Sequence, residues 1–113
     1  MTFQEVASMI ESIGLPFVYD SFPNNEAPQT PYIVFNFPNN DDFGADNINY
    51  VSIDTLNIEL YESTKDFALE QTIEAVLNEN GFFYDKTETY IRQENLFQIS
   101  FLFLWQNTYN ILI

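Results

Sequence analysis

Residues 56–77 read Leu56-Asn-Ile-Glu-Leu-Tyr-Glu-Ser-Thr-Lys-Asp-Phe-Ala-Leu-Glu-Gln-Thr-Ile-Glu-Ala-Val-Leu77. Two periodicities follow one another in this stretch. Leu56, Ile58 and Leu60 recur every second residue, which is the period of a strand with one face buried. Leu69, Ile73, Val76 and Leu77 then recur at helical spacing and form one apolar stripe. Ser63 with Asp66 resembles an N-terminal cap, and Gly81 is a natural stop, so the pattern predicts a helix over about 65–80. Glu70, Glu74 and Asn78 are expected to lie away from the stripe. A strand that gives way directly to an amphipathic helix predicts an α+β chain.

Upstream, residues 48–62 read as one long strand whose apolar phase changes. Ile48 and Tyr50 share the even phase of Leu56, Ile58 and Leu60, whereas Val51 and Ile53 are odd. The switch falls around Asp54-Thr55 and predicts a bulge, or a strand that leaves the sheet and meets another surface. Residues 38–46, from Pro38 to Asp46, contain Asn39, Asn40, Asp41, Asp42, Gly44 and Asp46 and read as a loop. Tyr32-Ile-Val-Phe-Asn-Phe37 is rich in strand formers. Pro23, Pro28 and Pro31 make the segment before it a rigid polar loop, and residues 17–22 read as a short strand. The first element is a helix over about 3–13. Thr2 and Glu5 match a capping box, Val6, Met9, Ile10 and Ile13 form the stripe, and Gly14 and Pro16 end it.

Downstream, residues 82–88 read as a strand, followed by a polar stretch suited to a hairpin turn. The last strand, about 95–105, carries Phe97, Ile99, Phe101, Phe103 and Trp105 on one face and Leu102 and Leu104 on the other. No charged residue occurs from Asn95 to Ile113. A strand apolar on both faces has to be covered, by helices on one side and by a partner subunit or the returning tail on the other. The whole pattern predicts a single α+β domain over 1–113, with an antiparallel or mixed β-sheet packed against two α-helices.

Charge narrows the range of functions. Seventeen Asp and Glu face three Lys and Arg, a formal net charge of −14. Nucleic-acid binding by a basic surface is excluded, and an anionic membrane repels such a chain. No apolar run is long enough for a spanning helix, and the N-terminal residues do not read as a signal peptide. The absence of Cys and His removes thiolate ligands, disulfides and the usual nucleophilic triads. Gly14, Gly44 and Gly81 are isolated, so there is no phosphate-binding glycine loop. Asp41, Asp42 and Asp46 form the best group for an oxygen-only cation site, but their spacing does not match a calcium-binding loop. No cofactor and no catalytic site are expected. The 18% aromatic content lacks interleaved basic residues and predicts core or protein interface rather than base stacking.

Two short segments carry a resemblance. Leu15-Pro-Phe-Val-Tyr-Asp-Ser-Phe-Pro23, followed by Pro28-Gln-Thr-Pro-Tyr-Ile-Val-Phe35, resembles the tail-completion or tail-terminator proteins of long-tailed bacteriophages and prophages. The matching pieces are Val18-Tyr-Asp20 and Pro31-Tyr-Ile-Val34; Pro23 falls one residue off the family spacing. The later layout, Ile58-Glu-Leu-Tyr61, Ile73-Glu-Ala-Val-Leu77, Gly81 and a hairpin with Tyr84, is similar in organisation. The resemblance implies a structural α+β subunit that closes into a hexameric ring. Such a ring caps the tail-tube protein, ends its polymerisation and offers a surface to the head-connector protein. DNA passes through the lumen without specific binding. It also implies assembly in the bacterial cytoplasm and a place at the head-proximal end of the tail.

On that implied ring, the candidate interface or lumen residues are Asp41, Asp42, Asp46, Asp54, Phe101, Phe103 and Trp105. The uncharged segment 95–113 supplies either a ring interface or a core wall. The rival readings are an acidic DNA mimic that inhibits a DNA-binding enzyme, another head–tail joining subunit, and an acidic enzyme acting on a cationic substrate, which a preformed cleft with paired carboxylates would support. Dispersed acids, with only Asp41-Asp42 adjacent, weigh against a mimic with carboxylates in phosphate-like rows.

Overall fold

A computed structural model describes residues 2–23, 26–38 and 55–104. Within them lie helix α1 (Phe3–Glu11), strands β1 (Phe17–Tyr19), β2 (Tyr32–Asn36) and β3 (Thr55–Glu62), helix α2 (Phe67–Glu79), and strands β4 (Asp85–Ile91) and β5 (Leu96–Leu104). The strands form one five-stranded sheet in the order β1-β2-β3-β5-β4. The sheet is mixed: β1 pairs parallel with β2, and the other neighbours are antiparallel. The fold is α+β, with this mixed sheet packed against the two helices.

One side of the sheet holds the core. Leu56, Ile58 and Leu60 of β3 lie beside Phe103, Phe101 and Ile99 of β5, and Ile33 and Phe35 of β2 pair with Leu60 and Ile58. All eight are 0–3% exposed. Val6, Met9 and Ile10 of α1 and Ile73 and Leu77 of α2 pack into the same cluster, so both helices cover the same sheet face. The alternation in residues 56–60 thus placed the core face correctly. Residues 48–54, which hold the other side of the phase switch, lie outside the described residues.

Local chemistry sets the element ends. The Thr2 side chain accepts the Glu5 amide at 3.3 Å, and the Glu5 carboxylate accepts the Thr2 amide at 3.0 Å, which completes the expected capping box. α2 starts later than the sequence reading placed it. Asp66 itself is the N-cap, accepting the Leu69 amide at 3.0 Å, while the Ser63 hydroxyl accepts from Thr30 Oγ1 at 2.9 Å. Asp66 is adjacent to the first turn and competes better for its free amides than a residue three positions back. At the far end, Gly81 adopts φ +79, and the Phe82 amide bonds back to the Leu77 carbonyl at 3.0 Å. That reversal satisfies an orphan carbonyl and turns Phe82 into the core.

Two strand limits also differ from expectation. β1 stops at Tyr19 because Asp20 takes a positive φ of 71 and donates its amide to the Phe35 carbonyl at 2.8 Å. β4 begins at Asp85 rather than residue 82. Phe82 is 5% exposed, with its ring 4.2 Å from that of Phe103, and Tyr84 reaches Glu74, so this segment packs beneath α2 before it pairs. The hairpin turn to β5 falls at residues 92–95, with Asn95 at φ +55.

Candidate functional site

The structure concentrates its polar chemistry in two clusters, one on each face of the sheet. The first lies where the end of β3 meets the first turn of α2. Glu62 is the last residue of β3 and continues the core-facing phase of Leu56, Ile58 and Leu60. Glu70 lies three and seven residues before Ile73 and Leu77, so the helix turns it onto their side. Both are nearly sealed from solvent, at 2% and 1% exposure. The expected outward position of Glu70 is therefore wrong: the two lysines beneath α2 draw it inward.

Lys86 of β4 contacts Glu70 Oε1 at 3.0 Å and Glu74 Oε2 at 3.2 Å. Lys65 contacts Glu70 Oε2 at 2.6 Å as an ion pair that is poorly aligned as a hydrogen bond, and also pairs with Glu88 of β4. Its ammonium lies 5.2 Å from the Phe67 ring centre and 5.7 Å from that of Phe97. Burial works to raise the Glu70 pKa, but the close Lys65 and Lys86 ammonium groups outweigh it and hold the group below the ordinary carboxylate range.

Glu62 has the opposite environment. Neither of its oxygens has a donor in hydrogen-bonding geometry, and Lys65 is 3.9 Å away. Burial, followed by the neighbouring Glu70 carboxyl, pushes its pKa up to about 7; Lys65 and the Asp66 amide only partly oppose this.

The second cluster lies on the sheet face away from the helices. Glu59 of β3 accepts from Asn57 Nδ2 at 3.3 Å, Tyr61 Oη at 3.3 Å and Gln98 Nε2 at 3.2 Å. Gln98 also donates to Tyr61 Oη at 2.8 Å, and Ser100 donates to Asn57 Oδ1 at 2.5 Å. Partial burial raises the Glu59 pKa, and burial pushes the Tyr61 hydroxyl up to about 12. The Tyr61 ring stacks on Tyr32 with centres 5.1 Å apart. Leu102, on the same face as Ser100, is 41% exposed, and Phe83, just before β4, is 90% exposed. A half-buried polar network beside the exposed Leu102, which pairs in register with Asn57, suits contact with another protein.

Of the residues singled out by sequence, Phe101 and Phe103 sit in the core of a single chain. For these two side chains the segment supplies a core wall rather than a surface, because β5 is the second strand in from the sheet edge and turns them toward the helices. Asp41, Asp42, Asp46, Asp54 and Trp105 lie outside the described residues. Among the described residues, no group of three or more His, Cys, Asp or Glu is arranged to hold a metal ion, and no helix is long and apolar enough to cross a membrane. An open groove of about 480 Å³ runs beside α1, lined by Gln4, Glu5, Ser8, Met9, Ser12 and Asn80. It brings together no acid–base pair, since Glu5 is tied to Thr2.

Sequence reasoning missed Glu62, Lys65, Glu70 and Lys86 as a unit. The signal was there: both acids occupy buried phases of their elements, and the chain has only three basic residues to neutralise them. Comparison of the chain with models of known protein families, with curated proteins and with solved structures gives no match.

Proposed function

We propose that this chain is a structural subunit of the head-proximal end of a phage tail. It closes with copies of itself into a ring, caps the tail-tube protein, stops tube growth and presents a surface to the head-connector protein. The observation that carries this reading is the pairing of the two segments that bear the resemblance. Val18 and Tyr19 of β1 lie beside Val34 and Phe35 of β2 in parallel register, and Asp20 is tied to the Phe35 carbonyl. Segments separated by the proline-rich loop thus make one local unit.

Two further features support an assembly role. The sheet face opposite the helices carries exposed Leu102 beside a polar network, which fits a subunit contact. The two acids of the β3–α2 junction are sealed inside the chain, which suits a structural use better than turnover. Electron microscopy of tube protein polymerising with and without this chain tests the reading. Short capped tubes are expected; an unchanged length distribution at excess chain contradicts it.

A further inference from the structure

We propose that Glu62 and Glu70 share one proton, and that loss of this proton from Glu62 releases the first turn of α2 from the end of the sheet. The geometry supplies the reason. Lys65, Lys86 and the carboxylates of Glu62, Glu70, Glu74 and Glu88 meet in one cluster, so full ionisation leaves two excess negative charges. Glu70 takes both lysines. Glu62, equally buried, is left with an ammonium at 3.9 Å, the Asp66 amide outside good hydrogen-bonding geometry, and a carboxylate neighbour. A buried carboxylate without a donor is costly, and a carboxylic acid donating to the adjacent Glu70 carboxylate removes that cost.

The groups around Glu62 come from every element packed on it. Glu70 and the capping Asp66 belong to the α2 end, Lys65 to the connecting loop, and Lys86 and Glu88 to β4. Phe97, its register partner on β5, brings no charge. When Glu62 ionises, Lys65 is the nearest cation that can follow it. Moving Lys65 toward Glu62 weakens its contacts with Glu70, Glu88 and the Phe67 and Phe97 rings. Those contacts pin the start of α2 to β4 and β5. Below neutrality the junction is closed; above it the first turn of α2 opens more often. The high Glu62 pKa given by its surroundings agrees with this order of events.

Carbon-13 spectra of the glutamate carboxyl groups of the full chain, recorded across pH and assigned with Glu62→Gln, test the proposal. Glutamine mimics the protonated form in shape and donates where the acid would. One carboxyl signal, missing in Glu62→Gln, is expected to titrate near neutrality. Amide exchange in residues 67–71, corrected for its intrinsic pH dependence, is expected to speed up above neutrality by about tenfold or more in the parent chain and to stay level in the variant. A Glu62 signal titrating in the ordinary carboxylate range overturns the proposal. So does identical corrected exchange in both proteins. If Glu62→Gln does not fold, Glu62→Asp supplies the assignment and the titration decides.

Discussion

Glu70 holds its place through charge, and Leu102 holds its place through register. Both are exceptions to what their residue types suggest. A glutamate reads as solvent-facing, yet the pattern Glu70, Ile73, Leu77 puts it on the buried side, where Lys65 and Lys86 meet it. Replacing Glu70 with Ala leaves two lysines facing each other under α2. The expected cost is about 3 kcal/mol, read from urea unfolding, because one partner of a buried ionic cluster has been removed. The pH response of the two acids has opposite signs. Glu62, raised above its unfolded value, adds stability that is full below the ordinary carboxylate range and lost as pH rises through about 7. Glu70, lowered, adds stability that is present above that range and lost as pH falls below it. Unfolding free energy measured across pH is therefore expected to peak in mildly acid solution. A maximum at pH 8 or above would show that Glu62 is not the titrating group.

Among the elements, the apolar alternation of β3 and the stripes of both helices were legible because each buries one face against a common core. β1 and β4 were less so. Residues 85–91, DKTETYI, lie at the sheet edge with little burial, so no hydrophobic phase marks their limits. The parallel pairing of β1 with β2 depends on a contact across the proline loop, which local pattern does not encode. The clustering of Glu62 and Glu70 with Lys65 and Lys86 depends in the same way on β4 pairing with β5 beneath α2. Cap chemistry gives a test at this scale. Asp66→Ala is expected to cost about 1 kcal/mol in unfolding free energy. Ser63→Ala should cost clearly less, since Ser63 only meets the exposed Thr30 hydroxyl. Equal losses would return the cap to the position the sequence first suggested.

At the scale of the whole molecule, a net charge of −14 on 113 residues opposes any self-association, most strongly at low salt. An assembling subunit needs apolar contact to overcome that repulsion. The sheet face with Leu102 offers it, whereas Phe101 and Phe103 are already used inside the chain. Leu102→Glu is thus expected to leave the thermal midpoint nearly unchanged while abolishing the proposed ring, read by size exclusion. Phe103→Ala should instead cost about 3–5 kcal/mol of stability by opening a cavity beside Phe82. If Leu102→Glu unfolds the chain as Phe103→Ala does, the face is part of the core and not a contact surface.

The most direct test of the proposed ring is absolute mass by light scattering after size exclusion, at low and high salt, with and without purified tail-tube protein. A closed species of about six times the 13.2 kDa chain mass, favoured by salt or formed only with tube protein, is the predicted result. A strict monomer at every salt concentration, indifferent to tube protein, would contradict it.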